Sequence, residues 1–285
     1  MTLRLLTHLQ ALVGERHPLT TPDHLVAVEM YMADRFEAMG CRVTHHCFVA
    51  LDGTYRNVIA TLDSASNSSC LPPLLIGAHY DTVPGSPGAD DNASALAVLL
   101  ETAQSLSGVS LVRPIRFVAF CLEEDGLLGS SAYTAMLRQQ KETLAGAIIL
   151  ECVGYARSEE GTQQAPPRVP VAVPTVGNFL AVIGNDASEA LTSTVARAMK
   201  THVPVVPLVV PGNGALLPDT RRSDHATFWD QGFPAVMVTD TANFRNHYHQ
   251  PGDTLDTLNL DFMSQVAHGL VASAKQLAGM NDYAT

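Results

Sequence analysis

The chain is short of basic residues, of tryptophan and of paired cysteines, and these shortages close off several classes of function. Seventeen Lys and Arg stand against 28 Asp and Glu, a formal net charge of −11. A surface of that sign repels phosphate backbones and anionic lipid, so no nucleic-acid and no membrane partner is expected. Charged residues reach only 16% while apolar ones reach 46%, a balance that supports a buried core and excludes a disordered or fibrous chain. No apolar run approaches the length of a membrane span. The five cysteines, Cys41, Cys47, Cys70, Cys121 and Cys152, are odd in number and never spaced as CxxC. That argues against a disulfide framework and against a thiolate zinc site. The first residues, MTLRLLTHLQALVGERH, carry no uninterrupted apolar signal core, so the expectation is a cytoplasmic protein with reduced thiols. HExxH, P-loop and GxSxG signatures are missing, and Gly212-Asn213-Gly214 lacks the third glycine of a dinucleotide loop.

What the chain does have is an alternation of apolar strands and helices. Helices are expected over 3–13 and 22–39, the second capped by Thr21 or Asp23 and stopped by Gly40. Segments 42–50 and 56–62 read as a hairpin turned at Asp52-Gly53. A polar loop follows over 63–73, with an Asn-Ser-Ser sequon that has no meaning in a cytoplasmic protein. Strand 74–78, helix 93–107, strand 115–120, helix 130–140 and strand 147–150 come next. After a surface loop at 157–170, strand 179–184 leads to a helix opened by a capping box from Asp186 to Glu189. Strands 203–210 and 235–239 and a helix over 261–278 close the chain. Near-continuous apolar strands between helices predict one α/β domain over residues 1–285. Its expected form is three α/β/α layers, with a mixed, mostly parallel central sheet and helices on both faces.

The stretch from Leu74 to Ser94 organises the rest. It delivers His79 and Asp81 after an apolar run, then Asp90 and Asp91 after a Gly/Pro loop, half of a site for a divalent cation. Two more apolar strands end in acids, one at Glu123-Glu124 and one at Glu151. A single acid at a strand end is ordinary solvated charge. Three at one sheet edge repel each other unless protonated or bound to a cation, and ligands of open α/β sheets bind at that edge. His247 and His249, in the loop before the last helix, offer the missing second nitrogen ligand.

Taken in order, HYD (79–81), GADDNAS (88–94), LEEDGLLGS (122–130), LECVGY (150–155), SDHATFW (223–229) and YHQPGDT (248–254) resemble the motifs of the M28 family of co-catalytic zinc exopeptidases. The resemblance implies two divalent ions, zinc by preference. His79 and Glu151 would hold one, Glu124 and His249 the other, with Asp91 bridging. Asp81 would orient His79 by accepting its other ring proton, Glu123 would be the general base, and Tyr248 an oxyanion donor. Glu151 departs from the family, which often has Asp there. Two ions so placed supply an activated water and a polarised carbonyl. Asp224 and His225 are expected as a hydrogen-bonded wall of the substrate pocket, His247 as a rim residue, and Arg221 or Arg222 as a partner for a substrate carboxylate.

The function implied is that of an aminopeptidase acting on small peptides. Glutaminyl cyclisation, performed by relatives of the same fold, is the alternative from another reaction class, and a non-catalytic binding protein on a peptidase fold is the third. The related M20 metallopeptidases insert a separate dimerisation domain, for which the strands and helices between Glu151 and His249 leave no room.

Overall fold

A computed structural model describes residues 1–64, 71–245 and 247–280. Cys70 and the Asn-Ser-Ser sequon lie outside the described residues. The elements, in chain order, are α1 (Thr2–Leu12), α2 (Pro22–Ala38), β1 (Arg42–Ala50), β2 (Gly53–Leu62), β3 (Leu74–His79), α3 (Ala95–Leu106), β4 (Ile115–Phe120), α4 (Leu128–Gln140) and β5 (Gly146–Glu151). Then follow β6 (Leu180–Asn185), α5 (Glu189–Met199), β7 (Val205–Val210), α6 (His225–Asp230), β8 (Ala235–Thr239) and α7 (Leu260–Ala278).

The eight strands form one mixed sheet in the order β1-β2-β4-β3-β5-β8-β6-β7. Pairs β3/β4, β3/β5, β5/β8 and β6/β7 are parallel, and β1/β2, β2/β4 and β6/β8 antiparallel. Pro207, which has no N–H to give a ladder, sits in β7 at the sheet's edge.

Alternation along the central strands sorts side chains to two faces. Leu74, Ile76 and Ala78 of β3 join Ile148 and Leu150 of β5 in a core covered by α1, α2, α3, α5 and α7. Leu75, Ile149 and Met237 face the other way, onto α4 and α6. Helix α3 is buried at ten of its positions, including Leu96, Leu99, Leu100 and Leu106, as expected of a helix enclosed on all sides. Each such leucine contributes about 2 kcal/mol by leaving water. Chain passage from β3 through α3 to β4, then through α4 to β5, puts β4 and β5 on opposite sides of β3. The connections diverge there, which opens a crevice beyond the carboxyl ends of β3, β4 and β5.

Three local expectations are corrected. The hairpin turns at Leu51 and Asp52, both with positive φ, while Ala50 pairs with Gly53; the two-residue primed turn suits the strand twist, and Gly53 already belongs to β2. The capping box does not form, because a helical turn over 186–188 displaces the start of α5 to Glu189 and Asp186 Oδ2 accepts the Gly212 N–H instead. Thr21 stands at the N-cap of α2 without a capping bond, its hydroxyl accepting from His17 N–H and donating to Glu15 O instead, whereas Asn259 caps α7 by accepting from Phe262 N–H at 3.0 Å.

Candidate active site

Each acidic or histidine side chain of the crevice is placed by backbone that something else grips. His79 ends β3 and Glu151 ends β5. Asn92 locks the Asp91 turn to β5, donating from Nδ2 to Leu150 O and accepting from Cys152 N–H, both at 3.0 Å. Asp253 reaches back from the His249 loop, its two carboxylate oxygens accepting the N–H groups of Asp90 (2.8 Å) and Asp91 (3.0 Å). Gly88, at φ 60°, precedes this turn where a Cβ would lie 2.4 Å from Asp91 O and 2.6 Å from Arg16 Nη2. Only glycine fits there.

Arg16 was not singled out from the sequence. It is fully buried and donates to five carbonyls, those of Tyr80, Leu12, Gly14, Pro87 and Gly88, at 2.7–3.1 Å. Burial lowers its pKa to about 10 against the opposing pull of Asp91, Asp253 and Asp81. It remains a cation at neutral pH beneath an acidic cluster, and it splints the loop that carries Asp81 and Asp91.

His79, Asp91, Glu123, Glu124, Glu151 and His249 are brought together. His79 Nε2 lies 3.1 Å from Asp91 Oδ1, 3.5 Å from Glu151 Oε2 and 4.0 Å from Glu123 Oε2. His249 Nε2 lies 3.1 Å from Asp91 Oδ2 and 3.0 Å from Glu124 Oε2. Asp91 thus gives one oxygen to each half of the cluster. His79 Nε2, both Asp91 oxygens, Glu124 Oε1 and His249 Nε2 are buried with no hydrogen-bond partner. Ligand atoms of His79, Asp91 and Glu124 lie within 4.8 Å of one another, as do those of His79, Glu123 and Glu151. Buried polar atoms without partners are costly, and N/O donors gathered this closely fit divalent metal. The residues present fit the group.

The electrostatics follow from the crowding. Burial, then Glu151 and Glu124, push Glu123 well above the ordinary carboxylate range against the pull of His79. Burial and then Asp91 raise Glu124 to about 8. Burial alone would lower His249, but the Asp91 and Glu124 carboxylates 3.0–3.1 Å from its Nε2 outweigh it and raise the ring to about 9.

Asp81 has backbone partners besides the expected His79 ring. Its carboxylate accepts the N–H groups of Glu123 and Glu124, while His79 Nδ1 faces the Asp81 carbonyl at 3.2 Å and Oδ1 at 3.6 Å. The carboxylate is drawn to two fixed backbone donors, and the ring to the chain that carries it. Glu151 Oε2 accepts from Ser223 Oγ at 2.7 Å and Oε1 from Cys152 Sγ at 3.4 Å. These pin the longer side chain.

Asp224 and His225 are corrected from pocket wall to buried support. His225 bonds the Thr220 carbonyl through Nε2 and meets the Trp229 ring edge-on, and Asp224 is buried below the cluster. Arg221 is taken up by Asp230 and the Asn213 carbonyl. Arg222 Nη2 donates to Tyr248 Oη at 3.3 Å, and the Tyr248 ring stacks on His249. His247 lies edge-on to Tyr155. Asp90 turns away from the histidines and accepts from Gly154 N–H.

From Glu151 and Tyr248 a cavity of about 320 Å³ runs over the face of β6, β7 and β8. Ala181, Ile183, Leu208 and Met237 form its floor. Its outer wall comes from Pro166, Pro167, Val169, Val171 and Val173, the first three of them within the 157–170 stretch that reads in sequence as a plain surface loop.

A sequence model described as Peptidase family M28 matches residues 57–274. The chain belongs to peptidase family M28. This M28 peptidase is 34% identical over 266 residues to the uncharacterized protein YfbL of Escherichia coli K12, covering 87% of this chain and 79% of that protein. It is 27% identical to leucine aminopeptidase 1 of Arthroderma otae, over 78% of this chain and 58% of the relative, so it spans little more than half that protein's length. Among solved structures it resembles BSAP, a zinc aminopeptidase from Bacillus subtilis, with a TM-score of 0.63 and 25% identity. That likeness covers 82% of this chain and 53% of the other.

Proposed function

We propose that this M28 peptidase is a two-zinc aminopeptidase that removes N-terminal residues from small peptides. The observation that carries the reading is Asp91, whose two unpartnered oxygens each lie 3.1 Å from a different histidine. In this reading His79 and Glu151 hold one ion, Glu124 and His249 the other, and Asp91 both. Zinc and the aminopeptidase activity are supported by the zinc aminopeptidase likeness and the leucine aminopeptidase relative.

Two ions held there supply an activated water and a polarised scissile carbonyl. Glu123 Oε2, facing His79 Nε2, takes the proton from the attacking water and passes it to the leaving amine. Tyr248 stays protonated, since burial and then Asp91 and Glu151 hold its pKa above the usual phenol range. With Arg222 donating to Oη, its own proton is directed to the oxyanion. The acidic cluster attracts a free α-ammonium, and the apolar cavity takes the side chain beside it. The same reading makes residues 1–285 one catalytic domain. It is assigned to the cytoplasm, to which the unpaired Cys41, Cys47, Cys121 and Cys152 lend support. Among the described residues no helix is long and apolar enough to cross a membrane.

The test is a panel of aminoacyl, N-acetylated aminoacyl and glutaminyl peptides, with metal measured on the same sample. Hydrolysis confined to free amines with two zinc ions per chain is expected. Pyroglutamate formation without hydrolysis, on one zinc, would replace the reading with glutaminyl cyclisation. Peptide binding without turnover would replace it with a binding protein.

A further inference from the structure

Residues 152–179 join β5 to β6 without regular secondary structure, yet the middle of this stretch is a closed loop. Gln163 N–H donates to Thr175 O at 3.1 Å, and Gly177 N–H to Thr162 Oγ1 at 2.9 Å. Residues 163–175 therefore leave and rejoin the surface at one place, in the manner of an Ω-loop. The outer wall of the apolar cavity, from Pro166 to Val173, lies wholly between those ends. With no ladder or helix of its own, the wall is positioned by whatever grips the loop's base.

That grip is the side chain of Gln163, which is 6% exposed. Its Oε1 accepts from Arg245 Nε at 2.8 Å, and its Nε2 donates to Thr241 Oγ1 at 2.9 Å and to Gln164 O at 2.8 Å. Arg245 also holds both stems, donating from Nη1 to Tyr155 O at 2.8 Å and from Nη2 to Phe179 O. Gln164 N–H adds a bond to Phe244 O at 2.9 Å. Phe244 and Tyr248, on either side of Arg245, line the cavity. Through one amide and one guanidinium, the cavity wall and residues 241–245 become a single mechanical unit.

We infer that Gln163 is a specificity-determining positioning residue: by engaging Arg245 it sets the gap between the 166–173 wall and the sheet floor, and with it the size of N-terminal side chain accepted. This rests on the aminopeptidase reading. A leucyl or phenylalanyl side chain spans the gap and depends on contact with both surfaces, whereas an alanyl methyl does not reach the wall.

The experiment compares the wild type with Gln163→Ala and Gln163→Glu on leucyl, phenylalanyl and alanyl substrates, with zinc content and hydrogen exchange of the 163–177 amides measured alongside. Gln163→Ala is expected to raise KM for the leucyl and phenylalanyl substrates about tenfold, to quicken exchange over 163–177, and to leave alanyl turnover and zinc content unchanged. Gln163→Glu keeps the acceptor for Arg245 but turns its second oxygen toward the Gln164 carbonyl, so it is expected to restore the large-substrate KM in part. A wild type that hydrolyses none of the three overturns the aminopeptidase reading and this inference with it. An active wild type whose alanine variant loses equally on all three substrates, or keeps its leucyl KM, overturns this inference alone.

Discussion

The Asp81 carboxylate holds the backbone of Glu123, Oδ1 accepting its N–H at 3.1 Å, and Oδ2 takes the next N–H, of Glu124, at 3.0 Å. Two adjacent site residues therefore hang on one side chain at the end of another strand. An amide in place of that carboxylate turns an NH₂ group toward one of the two N–H donors. Asp81→Asn is expected to lower zinc affinity or kcat/KM by about 10- to 100-fold, read by chelator competition and steady-state rates. Wild-type values for both would remove Asp81 as the support of this backbone.

Glu123 is the cluster's acid farthest from histidine nitrogen, its Oε2 lying 4.0 Å from His79 Nε2. A glutamine of equal size keeps the packing and loses the basic oxygen. Glu123→Gln should retain its zinc and lose about 10²- to 10⁴-fold in kcat. Zinc analysis and single-turnover rates on one preparation decide it, and undiminished turnover would eliminate Glu123 as the base.

Much of this frame was legible in the sequence, because strands β3, β4 and β5 are near-continuous apolar runs that stop at His79, three positions before Glu123 and at Glu151. Period and strand ends are local signals. Arg16 was not legible: its partners are main-chain carbonyls up to 72 positions away, which any residue type supplies. Gln163 and Arg245 meet across 82 positions, and a proline-rich stretch that starts polar and shows no strand or helix period gives no hint that it walls an apolar cavity. Asp81 was legible only in part, for a related reason. Its neighbourhood to His79 in sequence is visible, whereas the competing N–H groups of Glu123 and Glu124 arrive through the fold.

On the proposed reading, zinc displaces protons from this site. His249 is raised to about 9 and Glu124 to about 8, so at neutral pH both hold a proton that competes with metal. Affinity should climb as pH rises from 6 toward 9, and the increase in Tm on adding zinc should be larger at pH 8 than at pH 6. Competition against a chelator of known pH behaviour measures this. Affinity that is flat across the range would take His249 and Glu124 out of the ligand set.

Ala181 sits on the cavity floor with Ile183 and Leu208. Enlarging it occupies space that a large N-terminal side chain would fill. Ala181→Leu should raise KM for leucyl and phenylalanyl substrates by about 10-fold or more while sparing alanyl substrates. An equal change for all three would mean that this cavity does not hold the N-terminal side chain.

His225 predicts an acid sensitivity separate from the metal cluster. The ring is fully buried, bonds Thr220 O through Nε2 at 2.8 Å, and leaves Nδ1 without a partner. Protonating Nδ1 would bury a cation, and burial accordingly lowers the pKa from 6.5 to about 4. In the unfolded chain the ring takes up its proton near its ordinary value, so between pH 6.5 and about 4 the unfolded state binds more protons than the folded one. Stability from this group is therefore present above pH 6.5 and is lost as pH falls through that window, by roughly 3 kcal/mol at full protonation of the unfolded ring. Asp224 and Asp253, both raised to about 7 chiefly by burial, act with the opposite sign, binding more protons when folded. A bare pH profile of the wild type mixes the two. The difference between wild type and His225→Gln isolates the histidine, since the carboxylates are common to both. Denaturant unfolding at pH 7, 5.5 and 4 should show the wild type losing stability relative to the variant as pH falls. A difference that stays constant with pH would mean that the ring takes up its proton at the same pH in the folded and the unfolded chain.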